Sequence, residues 1–521
     1  MSLAGPIANF FAIPLIGIIV QLGLFAALLG LIPFVGIYLA LVLNAANYII
    51  IWFFLWVAHF STVILPFPFV QTLTPKMIAT YYFLLGLFVW NKPILRRGRI
   101  LYYDLMMGIG GAKRRTQALL TFGAAFLLIG SVVIYGFWPR EPAGELRFNV
   151  ISVRYGQAIH IETPNGANIL VDAGPNDYKS GWNTGIRTVA QYFLKQRIGA
   201  LDAVIMTNTS PEDMGGIAGV LSIFPTRRFY SAIPVWDWNT KDEAQFTKQF
   251  EEGVGADAAE SKRNPDYGAA LFLFHELAEQ LQKPWSIGRF VSSFLISPMS
   301  AFSVTGPPDP VKVSSGMVLW REDGPGGKFE IVALHPNADY PLKPTNNNSI
   351  VLRVTYGKKS FLIASDITED GIRELLRLPP ELLRANVVVV PAHGSSKSDI
   401  ELFYKYVLPD DGEARYAVMS FGRNSDLKPP RSAHGSRGSR ESYRDSFLSH
   451  RQLFMKDIQG GADETERKLR ERGIIVSRTD RDGAFLSASN GIDLRISTML
   501  GGKLVGDFDL AAEDANKESG L

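Results

Sequence analysis

No Asp, Glu, Lys or Arg occurs before Lys76. A water-facing domain cannot cover its surface without charged side chains, so this stretch needs an apolar surrounding. Residues 7–32 and 35–60 each exceed the roughly 20 apolar residues that cross a bilayer. Pro66 and Pro68 mark a loop, residues 78–90 give a shorter candidate span, and 117–138 form a fourth uncharged one. Three to four transmembrane helices are therefore expected over 1–139. Lys92, Arg96, Arg97, Arg99, Lys113, Arg114 and Arg115 are opposed only by Asp104 between the last two spans. The positive-inside rule puts that loop in the cytoplasm and everything after Arg140 outside a plasma membrane. The first residues carry no positive n-region, which argues against a cleaved signal peptide. Asn9, Gln21, Asn44 and Asn47 read as hydrogen-bonding groups between helices.

Beyond Arg140 the composition is that of an ordinary water-soluble domain. Zero cysteines exclude disulfides, thiolate metal sites and cysteine nucleophiles, and a net charge of +3 gives no global pull toward nucleic acid. Leu146 to Val153 alternates as a strand, Tyr155-Gly156 turns, Gln157 to Glu162 alternates again, and Asn168 to Asp172 forms a third strand. A helix around Ile186 to Gln196 follows. A less ordered insertion is expected over 227–310, with an amphipathic helix near Ala269 to Leu281. Strands then recur at NNNSIVLRVTYG, KSFLIASD, NVVVV and ARYAVMSF, with helices at ITEDGIRELL and Ile400 to Val407. An Arg/Ser-rich stretch, 424–460, reads as a mobile arm, and 501–521 as a polar tail. Two runs of strands and helices predict an α/β sandwich with helices outside, over 145–500.

Leu201 to Ile217, LDAVIMTNTSPEDMGGI, reads as a buried strand, a polar loop and a Gly-Gly entry into a helix. The loop resembles the metal cradle of the metallo-β-lactamase superfamily, T-H-x-[HD]-x-D-H-x-G-G, with Thr207 and Gly215-Gly216 kept. Several signposts together resemble the ComEC family, the DNA-internalisation channel of natural competence. They are GPIANFFAIPLIGIIV, ILVDAG, LDAVIMTN…GG, NNNSIVLRV, FLIASD, VVVPAHGSS, YAVMSFGRN and RTDRDGAF. The resemblance implies N-terminal transmembrane helices followed by a metallo-β-lactamase-like αββα sandwich. It does not reach that family's OB-like domain or earlier membrane helices, so the chain looks like the C-terminal part of such a protein. A separate protein supplying the missing channel helices is one implied partner. The lipid bilayer and DNA are the others.

Departures from the family pattern bear on the chemistry. A two-metal phosphodiesterase needs imidazole and carboxylate ligands around both ions. Asn208, Ser210, Glu212 and Asp213 stand at the ligand positions of the cradle, and Arg154 stands in the turn that normally carries an Asp. Asp366 keeps the bridging carboxylate, Ala392-His393 keeps one of two histidines, and Lys428 falls where another ligand belongs. The resemblance with these losses predicts a catalytically inactive domain with no cofactor. The alternative is a membrane-tethered phosphodiesterase or nuclease in which Glu212, Asp213, Asp366 and His393 hold Mn²⁺, Mg²⁺ or Zn²⁺. Asp366 and His393 are then the catalytic candidates. A third reading is a non-enzymatic envelope interaction module. Arg154 and Lys428 are candidate phosphate-binding cations. Arg431, Arg437, Arg440, Arg444 and Arg451 would give the arm a basic face able to follow a nucleic-acid backbone.

Overall fold

The computed structural model describes residues 4–64, 144–153, 155–177, 182–254, 267–283, 306–337, 348–395, 401–420, 422, 460–500 and 503–509, with isolated positions between 78 and 131. Residues 71–141 belong to a unit of their own. Most of the third and fourth expected spans, most of the basic loop between them and nearly all of the expected arm lie outside the described residues.

Two apolar helices open the chain, α1 (Ala4–Leu29) and α2 (Gly36–Ile64). The Asn47 side chain of α2 donates to the Ile19 carbonyl of α1 at 3.1 Å, a polar tie between two otherwise apolar helices. Ile13, Leu24, Phe25, Tyr48, Trp52 and Trp56 are left exposed. Among the described residues one stretch, Gly36–Val57, is long and apolar enough to cross a bilayer, and Ile13–Leu29 is a shorter apolar helix.

The strands are β1 (Leu146–Val150), β2 (Ile159–Glu162), β3 (Asn168–Val171), β4 (Asn176–Asp177), β5 (Trp182–Asn183), β6 (Leu201–Met206), β7 (Thr226–Ser231), β8 (Asp309–Lys312) and β9 (Val318–Gly324). Then come β10 (Gly327–His335), β11 (Val351–Tyr356), β12 (Lys359–Ile363), β13 (Val387–Val389), β14 (Tyr416–Met419), β15 (Ile475–Arg478), β16 (Ala484–Ser489), β17 (Leu494–Leu500) and β18 (Lys503–Asp509). One sheet has nine strands in the order β18-β17-β16-β1-β2-β3-β6-β7-β8. The other has seven, β15-β14-β13-β12-β11-β10-β9.

Side-chain alternation along these strands builds the layers. Ile169 and Val171 point between the sheets with Phe361, Ile363, Val387 and Val389. Leu170, Val204 and Met206 pack outward under the helices Ala190–Gln196, Ile217–Ile223 and Tyr267–Gln282. On the other side Leu362, Val388 and Ala417 pack under Glu369–Leu375 and Glu401–Val407. The result is helix, sheet, sheet, helix. At the sheets' shared end, β3, β6, β12 and β13 all finish, and their following loops meet there.

Three expectations need correction. The stretch 227–310 is not simply an insertion. Thr226–Ser231 is β7, paired parallel with β6, and Asp309–Lys312 is β8, paired parallel with β7. The chain past 500 is not only a tail. Lys503–Asp509 pairs antiparallel with β17, placing Leu504 opposite Met499 and Phe508 opposite Ile496. Leu504, Gly506 and Phe508 keep a period of two inside a polar segment, which the overall composition hides. Finally, β9 and β10 form a hairpin that the expected pattern omitted, although MVLWRED and KFEIVALH alternate on either side of a Gly-Pro-Gly-Gly turn.

Candidate functional site

β3 ends on Asp172, a fully buried residue in the left-handed region at φ +55°. Its carboxylate accepts from the Thr207 amide (2.9 Å), the Thr207 hydroxyl (2.6 Å) and Gln157 Nε2 (3.0 Å). Asp172 thereby fastens the loop after β6 to the end of β3. Burial pushes its carboxyl up to about 6, opposed by these hydrogen bonds.

The loop from Thr207 to Gly216 brings Asp213 to the same place, fully buried. Asp213 Oδ1 accepts from the Gln157 amide and Oδ2 from Asn208 Nδ2, both at 2.6 Å. Asn208 Nδ2 also lies 3.0 Å from Ser365 Oγ, and Asn208 Oδ1 accepts from the Ser210 amide at 2.8 Å. Gly156 makes this approach feasible. It sits at φ +82°, and a Cβ there would meet the Glu212 carbonyl oxygen at 1.9 Å.

The second sheet supplies Asp366 and His393. Asp366 follows β12 after Ser365 (φ +51°), and His393 (φ +56°) follows β13 after Ala392 (φ +43°). Non-glycine residues held at such angles cost roughly 1–3 kcal/mol each and persist where the surroundings fix them, often at functional sites. His393 Nε2 lies 3.3 Å from Asp366 Oδ1 and 3.8 Å from Asp213 Oδ1. The shorter distance is within ion-pair reach, yet Asp366 Oδ1 is buried without a hydrogen bond. Burial, then the charges of Glu212 and Asp172, pushes the Asp366 carboxyl up to about 7. Burial first and the neighbouring Asp366 second hold Asp213 well above the usual carboxylate range.

Asp213, Asp366 and His393 each offer one ligand atom, and those atoms lie within 4.8 Å of one another. The set suits a single divalent ion: two carboxylates and one imidazole nitrogen, with the Asp366 Oδ1 atom buried and without a hydrogen-bond donor. A second ion is poorly provided for among the described residues. Asn208 is committed to Asp213 and Ser365, Ser210 Oγ donates to Glu212 Oε2 at 2.5 Å, and the Asp172 carboxylate serves three donors. The half-buried Glu212 affects Asp366 electrostatically without joining the three-ligand group. Arg154 and Lys428 lie outside the described residues, so the structure does not place the two candidate phosphate-binding cations.

Sequence reasoning passed over Gln157 and Ser365. Gln157 belongs to the G-Q turn, but its two-way tie to Asp213 and Asp172 is visible only once β2 and β3 pair. Ser365 precedes the bridging carboxylate, and its hydroxyl contacts with Thr207 (2.6 Å) and Asn208, which cross between the two sheets, depend on the packed fold.

Fold and site together define an α/β sandwich of helix, sheet, sheet and helix, with a buried, histidine-poor acidic cluster at one end of its two sheets. Comparison with known proteins points to one relative. The chain is 29% identical to ComE operon protein 3 of Bacillus subtilis (strain 168) over 119 residues, 23% of this chain and 14% of that protein. The matched stretch is thus a small share of that relative's length. No family model matches the chain. Similar solved structures include a subclass B3 metallo-β-lactamase from a soil metagenome library, at 13% identity and TM-score 0.25, covering 49% of this chain and 81% of that one. A variant of the CmlA β-hydroxylase matches at 12% identity and TM-score 0.29, covering 74% of this chain and 61% of that one.

Proposed function

We propose that this chain is a membrane-anchored, ComEC-like protein of the DNA-uptake class, whose metallo-β-lactamase-like domain does not run two-metal hydrolysis. The observation that carries the second half is the Asn208–Asp213 contact: an amide donating to a carboxylate at 2.6 Å stands where a metal-binding histidine is expected. The similarity to ComE operon protein 3, the signposts spread along the chain and the apolar stretch Gly36–Val57 support the first half. In this reading the protein crosses a bacterial plasma membrane several times, its sandwich domain lies outside, and a separate protein supplies further channel helices.

The test combines topology and binding. A reporter enzyme active only outside the cytoplasm is active when fused after Trp138 and silent when fused near Gly110. The purified chain binds DNA with an affinity that falls as salt rises. The reverse fusion pattern removes the external placement, and salt-insensitive or absent DNA binding favours an envelope interaction module.

A second reading is favoured by the Asp213–Asp366–His393 group: a phosphodiesterase or nuclease working with one ion. A divalent ion bound there supplies Lewis-acid polarisation of a phosphoryl oxygen. The chain's own part is to hold two carboxylates and an imidazole on strained, buried loops. Mn²⁺-dependent cleavage of DNA by the unmodified chain, abolished by Asp366→Ala, would establish this reading over the first.

A further inference from the structure

A cavity of about 250 Å³ opens beside the cradle but does not include its acidic residues. It lies at the C-terminal ends of three adjacent parallel strands, where Met206 stands beside Ser231 and Ser231 beside Lys312. Open α/β sheets bind ligands at such strand ends. Met206 belongs to the helix-side core, whereas Tyr230 and Val311 pack toward the inter-sheet core. Alternation therefore turns Ser231 and Lys312 to the same side as Met206, into the cavity they line.

The chemistry of the lining is one-sided. Lys312 is its one charged residue among the described residues, accompanied by Ser231, Thr209 and the amides of Asn337 and Asn348. No described carboxylate lies within ion-pair distance of the Lys312 ammonium, although Lys–Glu pairs occur elsewhere on this surface, as at Lys405–Glu401. Ser231 Oγ accepts from the Ile233 amide at 3.1 Å, which leaves its own hydrogen to donate. An ammonium and two hydroxyls lining one cavity make a point-charge site for a phosphoryl group. The volume sits just below the roughly 300–1,000 Å³ of ordinary small-molecule sites, so the occupant is compact.

We propose that this cavity binds a compact phosphate monoester, its phosphate on Lys312, Ser231 and Thr209 and the rest of the ligand against Asn337 and Asn348. The proposal does not rest on the DNA-uptake reading. Neither does it need a metal in the cradle.

Calorimetric titration of the full chain in detergent tests it, with inorganic phosphate, deoxyadenosine 5′-monophosphate and deoxyadenosine as probes. The phosphate-bearing probes bind and the nucleoside does not. Tighter binding of the nucleotide marks an esterified occupant, and equal binding marks free phosphate on the same groups. Lys312→Met weakens binding about tenfold or more, as expected for a lost charged hydrogen bond, while Lys312→Arg largely restores it. Lys405→Met, at an exposed position of the helix Glu401–Val407 in the other layer, leaves the affinity unchanged. Lys312 is exposed at a strand end, so its variants are expected to fold, which circular dichroism of each variant checks. Failure of both phosphate probes to bind, or unchanged binding in Lys312→Met, overturns the proposal.

Discussion

Asn208 donates a 2.6 Å hydrogen bond to Asp213 Oδ2, and both residues are buried. In a metal cradle these two positions would face an ion. Here they face each other, so part of the charge an ion would neutralise is satisfied within the protein. Removing the amide exposes the dependence. Asn208→Ala leaves a buried carboxylate oxygen short of a donor and lowers stability by about 1–3 kcal/mol in chemical denaturation. Asn208→Asp sets a third acid against Asp213 and Asp366, and its penalty is larger at pH 8 than at pH 5.

Asp366 sets a pH dependence of known sign. Its carboxyl is pushed up to about 7 from an ordinary value of 3.8, so between these the folded state holds the extra proton. The stability this confers is full below the ordinary value and is lost as pH rises through 7. Asp366→Asn therefore gains stability relative to the parent on going from pH 5 to pH 8, on the order of a few kcal/mol. Urea midpoints measured across that range check it, and a flat difference contradicts it.

His160 works in the opposite direction. Its Nδ1 lies 3.0 Å from the Tyr192 hydroxyl and its Nε2 3.1 Å from Asn168 Oδ1, and burial lowers it to about 4. Asn168 Oδ1 can only accept, which fixes the neutral ring with its proton on Nε2 and leaves Nδ1 to accept from Tyr192. The unfolded chain takes up the proton first, so stability is complete above 6.5 and falls away toward pH 4, by about 3 kcal/mol. His160→Gln lacks this acid loss, and the parent's advantage over it shrinks between pH 7 and pH 4.

Gly156 and Gly412 have nearly the same backbone, φ +82° and +80°, in different surroundings. A Cβ at Gly156 strikes the Glu212 carbonyl, whereas nothing lies within 4 Å of one at Gly412. Gly412→Ala costs the left-handed penalty, about 1–2 kcal/mol. Gly156→Ala costs that and displaces the Gln157 amide from Asp213 as well. Thermal melts of the two variants should differ clearly, and equal losses would mean the turn does not press on the cradle.

Much of the layering was legible because buried strands announce themselves: ILVD, LDAVIM, SFLIAS and NVVVV are short apolar runs ended by polar or small residues. The strands at 318–335 and 503–509 were harder, since Arg, Glu, Asp and Lys are interspersed along them and dilute the alternation. At the site, the resemblance pointed to Glu212, Asp213, Asp366 and His393; the structure groups the last three, with Asn208 hydrogen-bonded to Asp213, and leaves Glu212 paired with Ser210 outside the group. The resemblance could not reveal what each residue bonds to. Whether Asn208 turns toward an ion or toward Asp213 depends on loops separated by some 50 to 180 residues of chain, and so on the packed fold.

The central claim, that the cradle is not a two-metal centre, is tested most directly by metal stoichiometry. The full chain, purified in detergent, is saturated with Zn²⁺ or Mn²⁺, freed of excess ion and analysed by plasma emission. The account predicts no more than one ion per chain, with any bound ion lost in Asp366→Ala. Two tightly held ions per chain, together with cleavage of a phosphodiester, would contradict it.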